Sequence, residues 1–359
     1  MVDRNFWKGR RVLVTGHTGF KGGWLSLWLT EMGAEVTGLA LDPATDPSLF
    51  SVTRLSERLD DRRGDIADLK TVDEAFAAAR PEVLFHMAAQ PLVRRSYNDP
   101  VETYRSNVLG TAHVLDAARR CDTLRSIVVV TSDKCYENEE WYWAYRETDR
   151  LGGKDPYSNS KGCTELVASS FRQSYFTADA ASGKASPARL ATVRAGNVIG
   201  GGDWSEDRLV PDIIRAILAG GTVEIRNPSA TRPWQHVMEP LRGYIMLAER
   251  VFEGRNDVEY NFGPDIDNER TVGELVDRLT TLFPSAKGRH ATDKKHPKEA
   301  QFLRLDSSRA KAELDWHPVL GLEDTLKTTA DWFIAWMDGA DMQEVTLRQL
   351  RDYAEKAAR

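Results

Sequence analysis

The chain has 359 residues, 41% hydrophobic and 28% charged, with a formal net charge of −6. That length can bury a sizeable core and fits one large domain or two unequal ones. The acidic balance argues against a nucleic acid held mainly through its phosphates, and no uninterrupted apolar run of about 18 residues marks a membrane span. The N-terminus has no apolar stretch before a small-residue cleavage site, so no secretory signal is expected. Cys121, Cys135 and Cys163 leave an odd thiol under any pairing, which points to a reduced, cytoplasmic chain. The one close histidine pair, His290 and His296, assembles no zinc site, so no metal is expected.

In chain order, Arg11–Thr15, Glu35–Ala40, Val83–Met87, Ser126–Thr131 and Ala191–Arg194 are apolar runs of strand length. Helical patterns lie between them, at about Trp24–Met32, Leu69–Arg80, Pro100–Cys121 and Pro156–Phe176. Strands apolar throughout, separated by helices, predict a doubly wound parallel sheet of the Rossmann type, with ligands at the carboxyl ends of its strands. Thr177–Pro187 is small and polar and reads as a surface loop. After about residue 196 the alternation breaks into "GNVIGGGDW" and "RNPSATRPW", which suggests a smaller C-terminal α/β substrate domain. The expected division is a dinucleotide-binding domain over 1–196, with segments returning at about 235–262. The substrate domain takes 197–234 and 263–340, including a helix over Leu322–Met337, and a charged tail follows from 341 to 359.

Two motifs carry chemistry. "GHTGFKGGW" joins the first strand to the first helix, with Gly16, Gly19 and Gly22 three apart. Glycines there permit positive φ and close backbone approach, and the helix N-terminus favours an anion such as a pyrophosphate. "YSNSK" puts Tyr157 and Lys161 four apart, on one helical face. A free phenol has a pKa of roughly 10, and a nearby cation favours the phenolate. Such a pair suits general-base removal of a hydroxyl proton as a hydride departs.

Together these motifs resemble the extended short-chain dehydrogenase/reductase family, from Arg10 to Leu326. The resemblance implies NAD, with Gly16, Gly19, Phe20 and Gly22 at its pyrophosphate. Asp42 would take the adenosine ribose, where its charge repels a 2′-phosphate. Asp65 and Ile66 would flank adenine, Ala88 and Ala89 would line the cofactor, and Asn107 would help organise the site. The plainer readings are a helix cap for Asp65 and a solvated helix position for Asn107.

At "TSDKCY", Thr131–Tyr136, the resemblance assigns Ser132 to the reacting hydroxyl. Nucleotide-sugar 4-epimerases continue with small or apolar residues, whereas 4,6-dehydratases place an acid and a base there. Asp133-Lys134 resembles the dehydratase branch, in the form its CDP-sugar members carry. Asp133 is then the acid for a departing 6-hydroxyl, and Lys134 the base at C5 or a partner of Asp133 or a sugar hydroxyl. Phe20-Lys21, where many relatives have Phe-Ile, resembles the same branch. "RAGNVIGGGDW", "DRLVPD" and "RPWQHV" resemble nucleotide-sugar segments, which implies substrate contacts from Asn197, Arg208 and Arg232. Trp204 and Trp234 read as base-stacking or core residues. The expected activity is NAD-dependent dehydration of CDP-glucose. The alternatives are a dTDP-, GDP- or UDP-linked substrate, a 4-epimerase, or a non-catalytic NAD-binding regulator. The helices Pro100–Cys121 and Pro156–Phe176 would pair copies into a homodimer or dimer of dimers, or else turn their apolar faces to the core.

Overall fold

Every second residue along the central strands feeds a different core. Val12, Val14, Val128 and Val130 point into one apolar cluster, and Leu13, Ile127 and Val129 into another on the opposite face. That is why these strands read as continuous apolar runs: both faces of the sheet are covered. The computed structural model describes residues 1–178, 180, 182–183, 185–225, 227–255, 258–265, 269–283, 289–291 and 302–359. His296 and parts of the 177–187 loop lie outside them.

The strands are Arg11–Thr15 (β1), Glu35–Ala40 (β2), Asp60–Arg63 (β3), Val83–His86 (β4), Ser126–Val130 (β5), Arg189–Ala195 (β6) and Val198–Ile199 (β7). Val223–Ile225 (β8), Thr231–Pro233 (β9), Gln235–His236 (β10), Glu259–Phe262 (β11), Glu269–Thr271 (β12) and Arg289–Ala291 (β13) follow. Seven of them form one sheet in the order β11-β6-β5-β4-β1-β2-β3, every pair parallel. The order reverses between β1 and β4, so the crevice opens at their carboxyl ends, beside Gly16 and Ala88. Three two-stranded sheets, β7 with β10, β9 with β12 and β8 with β13, build the smaller region next to it.

One sheet strand lacked the expected signal. β3 is Asp-Asp-Arg-Arg, four charged residues on an edge, where charge blocks pairing with other chains. β11 lies beyond the Gly- and Pro-rich break and returns to pair with β6 after the helix Met238–Phe252 crosses the sheet. The helix after β1 begins at Phe20, four residues earlier than its apolar pattern, because Gly19 is its N-cap. The 100–121 segment is not one helix. Pro100–Tyr104 and Gly110–Arg120 flank a wide π-type turn at Arg105–Leu109, which carries Asn107 inward.

The segment expected as a charged tail is instead a packed helix, Met342–Ala357, capped by Asp341. Val345, Leu350 and Tyr353 recur at helical spacing among the charges and are buried, while Arg348, Asp352 and Glu355 stay outside. Tyr353 packs edge-on against Trp28 with ring centroids 5.7 Å apart, and its hydroxyl donates to Glu239 Oε2 at 2.8 Å. Trp332 Nε1 donates to Thr346 Oγ1 at 2.9 Å.

Candidate active site

The glycine turn is closed by backbone-on-backbone packing. Gly16 has φ 83°, and a Cβ there would lie 2.8 Å from Ala88 N. A Cβ on Gly22 would lie 2.1 Å from Gly16 O. Gly22 is therefore required for the helix to reach the turn, not for contact with a ligand. Gly19 differs: its Cβ position meets only Gly16 O, at 3.4 Å, and as N-cap it offers no side-chain hydrogen bond to the helix. The first amides of the Phe20–Glu31 helix thus keep their capacity for an anion in the crevice.

Two elements converge on the reactive groups. The strand end after β5 turns through one 3-10 turn, Asp133–Cys135, and delivers Ser132, Asp133 and Lys134. The helix Pro156–Tyr175, with Pro156 in its first turn and Asp155 as N-cap, delivers Tyr157 and Lys161. Ser132 Oγ donates to Asp133 Oδ1 at 2.8 Å and accepts from Lys134 N at 3.2 Å. The same serine acts on the Tyr157 phenol, opposing the effect of burial there. Tyr157, Ser132, Asp133 and Lys161 are all buried.

Burial dominates the electrostatics here. It raises the Asp133 carboxyl above the usual carboxylate range, against the opposing pull of Lys134, Ser132, Lys21 and Arg232. A carboxyl held up in this way is suited to donate a proton. Burial also pushes Tyr157 up to about 12, partly offset by the Ser132 hydrogen bond and by Arg208. Lys161 Nζ donates to Val130 O at 3.4 Å, and burial brings Lys161 down to about 8. Arg208 acts on the phenol from the substrate side.

The other expected residues divide by what their side chains already touch. Ala88 and Ala89 are half-buried at the carboxyl end of β4, on the crevice. The Asp42 side chain is 89% exposed past β2, with Arg63 Nε 3.8 Å away. Asp65 accepts from Ala67 N at 2.9 Å and from Arg105 Nη2 at 2.8 Å; the cap of the next helix is Asp68. Ile66 is buried in the core, and a Cβ on Gly110 would come within 2.7 Å of its side chain. Asn107 is neither solvated nor open to a cofactor. Its amide donates to Gln90 O at 3.1 Å and Ser160 Oγ at 2.8 Å, and accepts from Gln90 N at 2.7 Å. It braces the loop after β4 against the helix that carries Lys161.

On the substrate side, Arg208 Nη1 donates to Asp203 Oδ2 at 3.2 Å, and Arg208 acts electrostatically on both Tyr157 and Lys21. Arg232, on β9, is half-buried and acts on Asp133. Asn197 is half-buried between β6 and β7, and its carbonyl accepts from Gln235 N at 3.3 Å. Trp204 sits in an aromatic cluster with Trp332, Phe333 and Trp336, and Trp234 Nε1 donates to Arg270 O at 3.3 Å. Both tryptophans are buried core residues.

Residues 13–329 match the family model described as GDP-mannose 4,6 dehydratase. Over 361 aligned residues, the whole of both chains, the protein is 51% identical to a CDP-glucose 4,6-dehydratase of Salmonella typhimurium. The chain belongs to the GDP-mannose 4,6-dehydratase family. A dTDP-glucose 4,6-dehydratase of Streptomyces griseus is 29% identical, over 90% of this chain and 93% of its own. Among solved structures, a UDP-glucose 4-epimerase of Thermotoga maritima has a TM-score of 0.78 at 23% identity, covering 91% of this chain and 99% of its own. A dTDP-glucose 4,6-dehydratase mutant of Streptomyces venezuelae, with NAD bound, has a TM-score of 0.75 at 23% identity, covering 93% and 99%. These two likenesses show the fold.

Within this member of the family, sequence reasoning gave Lys21 no role. Its ammonium is within 3.5 Å of the Tyr244 hydroxyl and is brought down to about 7 by burial and by Arg208, with Asp133 opposing. A lysine where apolar residues usually follow Phe20 was the available signal. Nothing in the sequence marks Tyr244, which reaches the site through the fold.

Proposed function

We propose that this chain converts CDP-D-glucose to CDP-4-dehydro-6-deoxy-D-glucose, a loss of water with no net oxidation or reduction. The observation that carries the reading is Asp133, a buried carboxyl bonded to Ser132 and raised by burial, beside the serine that acts on Tyr157. An epimerase needs no such acid. The full-length likeness to a CDP-glucose 4,6-dehydratase supports the nucleotide. Residues 1–196 with their returning strand would hold the cofactor, and 197–234 with 263–340 the nucleotide sugar.

The crevice fits NAD. The turn at Gly16 closes against Ala88, the uncapped Gly19 end presents amides for a pyrophosphate, and the exposed Asp42 suits ribose hydroxyls. NAD, when bound, accepts the hydride from C4 and returns it to C6. Tyr157 takes the proton of the 4-hydroxyl while Ser132 holds the same oxygen. Lys161 and Arg208 supply the positive charge that stabilises the phenolate. The ketone at C4 makes the C5 proton acidic. Lys134, in its neutral amine form, removes that proton. Asp133 delivers its own to the leaving 6-hydroxyl so that water departs, and a proton returns to C5 as the hydride reaches C6. Arg208, Arg232 and Asn197 anchor the diphosphate away from the reacting carbons, which keeps one sugar oriented for both transfers.

Two or more copies would associate through the exposed apolar side chains Tyr97, Val101, Tyr104, Leu109 and Leu166, as a homodimer or dimer of dimers. The three free thiols support a reducing, cytoplasmic setting, and no helix among the described residues is long and apolar enough to cross a membrane. The test of the reading is a comparison of kcat/KM for CDP-, dTDP-, GDP- and UDP-glucose, following the 4-keto product. CDP-glucose is expected to win by at least tenfold. Equal values would remove the nucleotide assignment, and absence of any 4-keto product would remove the activity.

A further inference from the structure

Below the reactive groups, Glu165 and Arg194 form an ion pair in which each side chain is 2% exposed. Arg194 Nε donates to Glu165 Oε1 and Nη2 to Oε2, both at 2.9 Å, a two-pronged contact. The remaining capacity of both groups goes to Thr131, Tyr136, Thr192 and the Glu147 carbonyl. Glu165 Oε1 accepts from Thr131 Oγ1, the residue just before Ser132, and Oε2 accepts from Thr192 Oγ1 at 2.7 Å. Arg194 Nη1 donates to Tyr136 Oη at 2.7 Å and to Glu147 O at 3.0 Å. Tyr136 in turn donates to Asn261 Oδ1 at 2.8 Å. Both ends of the Thr131–Tyr136 segment are therefore fastened to one pair. Glu165 stands on the same helix as Tyr157 and Lys161, one turn beyond the lysine.

We infer that Glu165, locked by Arg194, is a positioning residue: it holds the Thr131–Tyr136 segment in register with Tyr157 and keeps the Lys161 ammonium charged. A purely structural ion pair would be weak evidence of anything, since replacing such pairs by apolar residues is often neutral or stabilising. Here the carboxylate is also the charge that offsets burial at the lysine. The groups facing Lys161 are Glu165 on its own helix, Cys135 from the turn after β5, His86 from β4 and Lys21 from the Phe20–Glu31 helix. His86 is buried and brought down to about 3, so it is neutral, and burial raises the Cys135 thiol well above its usual value. Lys21 repels. Glu165 is the anion of the set: burial pushes its carboxyl up, but Arg194 and the two threonines outweigh burial and hold it below the usual range.

The inference rests on the proposed role of Lys161 in C4 oxidation. Its test is the pH profile of the first half-reaction, read as NADH absorbance in single turnovers of the NAD-loaded enzyme with CDP-glucose. The wild-type rate should fall as pH rises through the lysine pKa, where the ammonium is lost. Glu165→Gln removes the opposing anion, so that limb should move to lower pH by about one unit, within the range a neighbouring charge supplies. Glu165→Asp keeps the charge and should move the limb back toward wild type. Should Glu165→Gln fail to fold because Arg194 is left unpaired, the double variant Glu165→Gln/Arg194→Met removes both charges and should show the same displaced limb. A limb unmoved in a folded Gln or double variant overturns the inference. Lys161→Met separates the two failures. Loss of oxidation in that variant, with an unmoved limb in Glu165→Gln, sinks the inference alone; wild-type oxidation in it sinks the reading of Lys161 as well.

Discussion

Gly196 leaves the space that the Asp133 carboxyl occupies: a Cβ on residue 196 would stand 3.2 Å from Asp133 Oδ2. Pro233 Cγ lies 3.9 Å from the same Cβ position. Gly196→Ala should displace the acid by a few tenths of an ångström without straining the backbone. Misplacement of about 1 Å can cost roughly 10²-fold, so a loss of about tenfold is expected in the elimination step. C4 oxidation should be almost unchanged. Comparing bound NADH formation with product release in the same variant checks this; an equal loss in both steps would contradict it.

The raised pKa of Asp133 has a sign in both activity and stability. The acid works while protonated, so elimination should weaken as pH rises through its folded-state value. The linkage runs the same way: a group whose folded pKa is raised contributes stability below its unfolded pKa and loses it as pH rises through the folded one. At neutral pH, above the ordinary carboxylate range, the buried carboxyl is thus a burden on the fold. Asp133→Asn should raise Tm by a few degrees at neutral pH while suppressing turnover, and the gain should shrink in acid. A lower Tm at neutral pH would contradict the assignment.

Tyr157→Phe removes the proton acceptor but keeps the ring and the backbone N–H that donates to Ser96 Oγ at 3.1 Å where the helix begins. Oxidation at C4 should fall by about 10²–10⁴, the usual cost of losing a general base. Thermal unfolding should be close to wild type. Retained formation of bound NADH in this variant would remove Tyr157 from the chemistry.

Deleting residues 342–359 would be harmless if they were a solvated tail. The helix instead covers Trp28, ties Tyr353 to Glu239 and accepts Trp332 through Thr346. Burying a Leu or Val is worth about 1.5–3 kcal/mol, and the deletion strips several such contacts at once. The truncated chain is expected to lose cooperative unfolding or fail to accumulate; an unchanged Tm would contradict the packing described.

What the sequence showed depended on how local the signal was. The glycine turn, β1, β2 and the Tyr157/Lys161 pair are each written in consecutive residues, and the structure has them where the pattern places them. β3 carries no apolar residue, because an edge strand needs none, and so no pattern announced it. The terminal helix hides a stripe of Val345, Leu350 and Tyr353 among many charges, which composition alone reads as tail. Asn107 was legible as a site residue only through the motif around it, and the π-type turn that carries it inward has no signal in the sequence. The Lys161 ammonium points at a backbone carbonyl rather than the phenol, a side-chain choice that i to i+4 spacing does not determine. Gly196, Tyr244 and Arg194 become neighbours of the site only when β6 and the Met238–Phe252 helix pack against it.

The central claim is that one sugar is oxidised at C4, dehydrated across C5 and C6, and reduced at C6 within a single closed cycle. The most direct measurement uses CDP-glucose carrying deuterium at C4, with the product examined by mass spectrometry and NMR. The account predicts deuterium at C6 of the same molecule, one solvent hydrogen at C5, and no net NADH. Deuterium back at C4 with inversion and an intact 6-hydroxyl would contradict it, and would make the protein an epimerase.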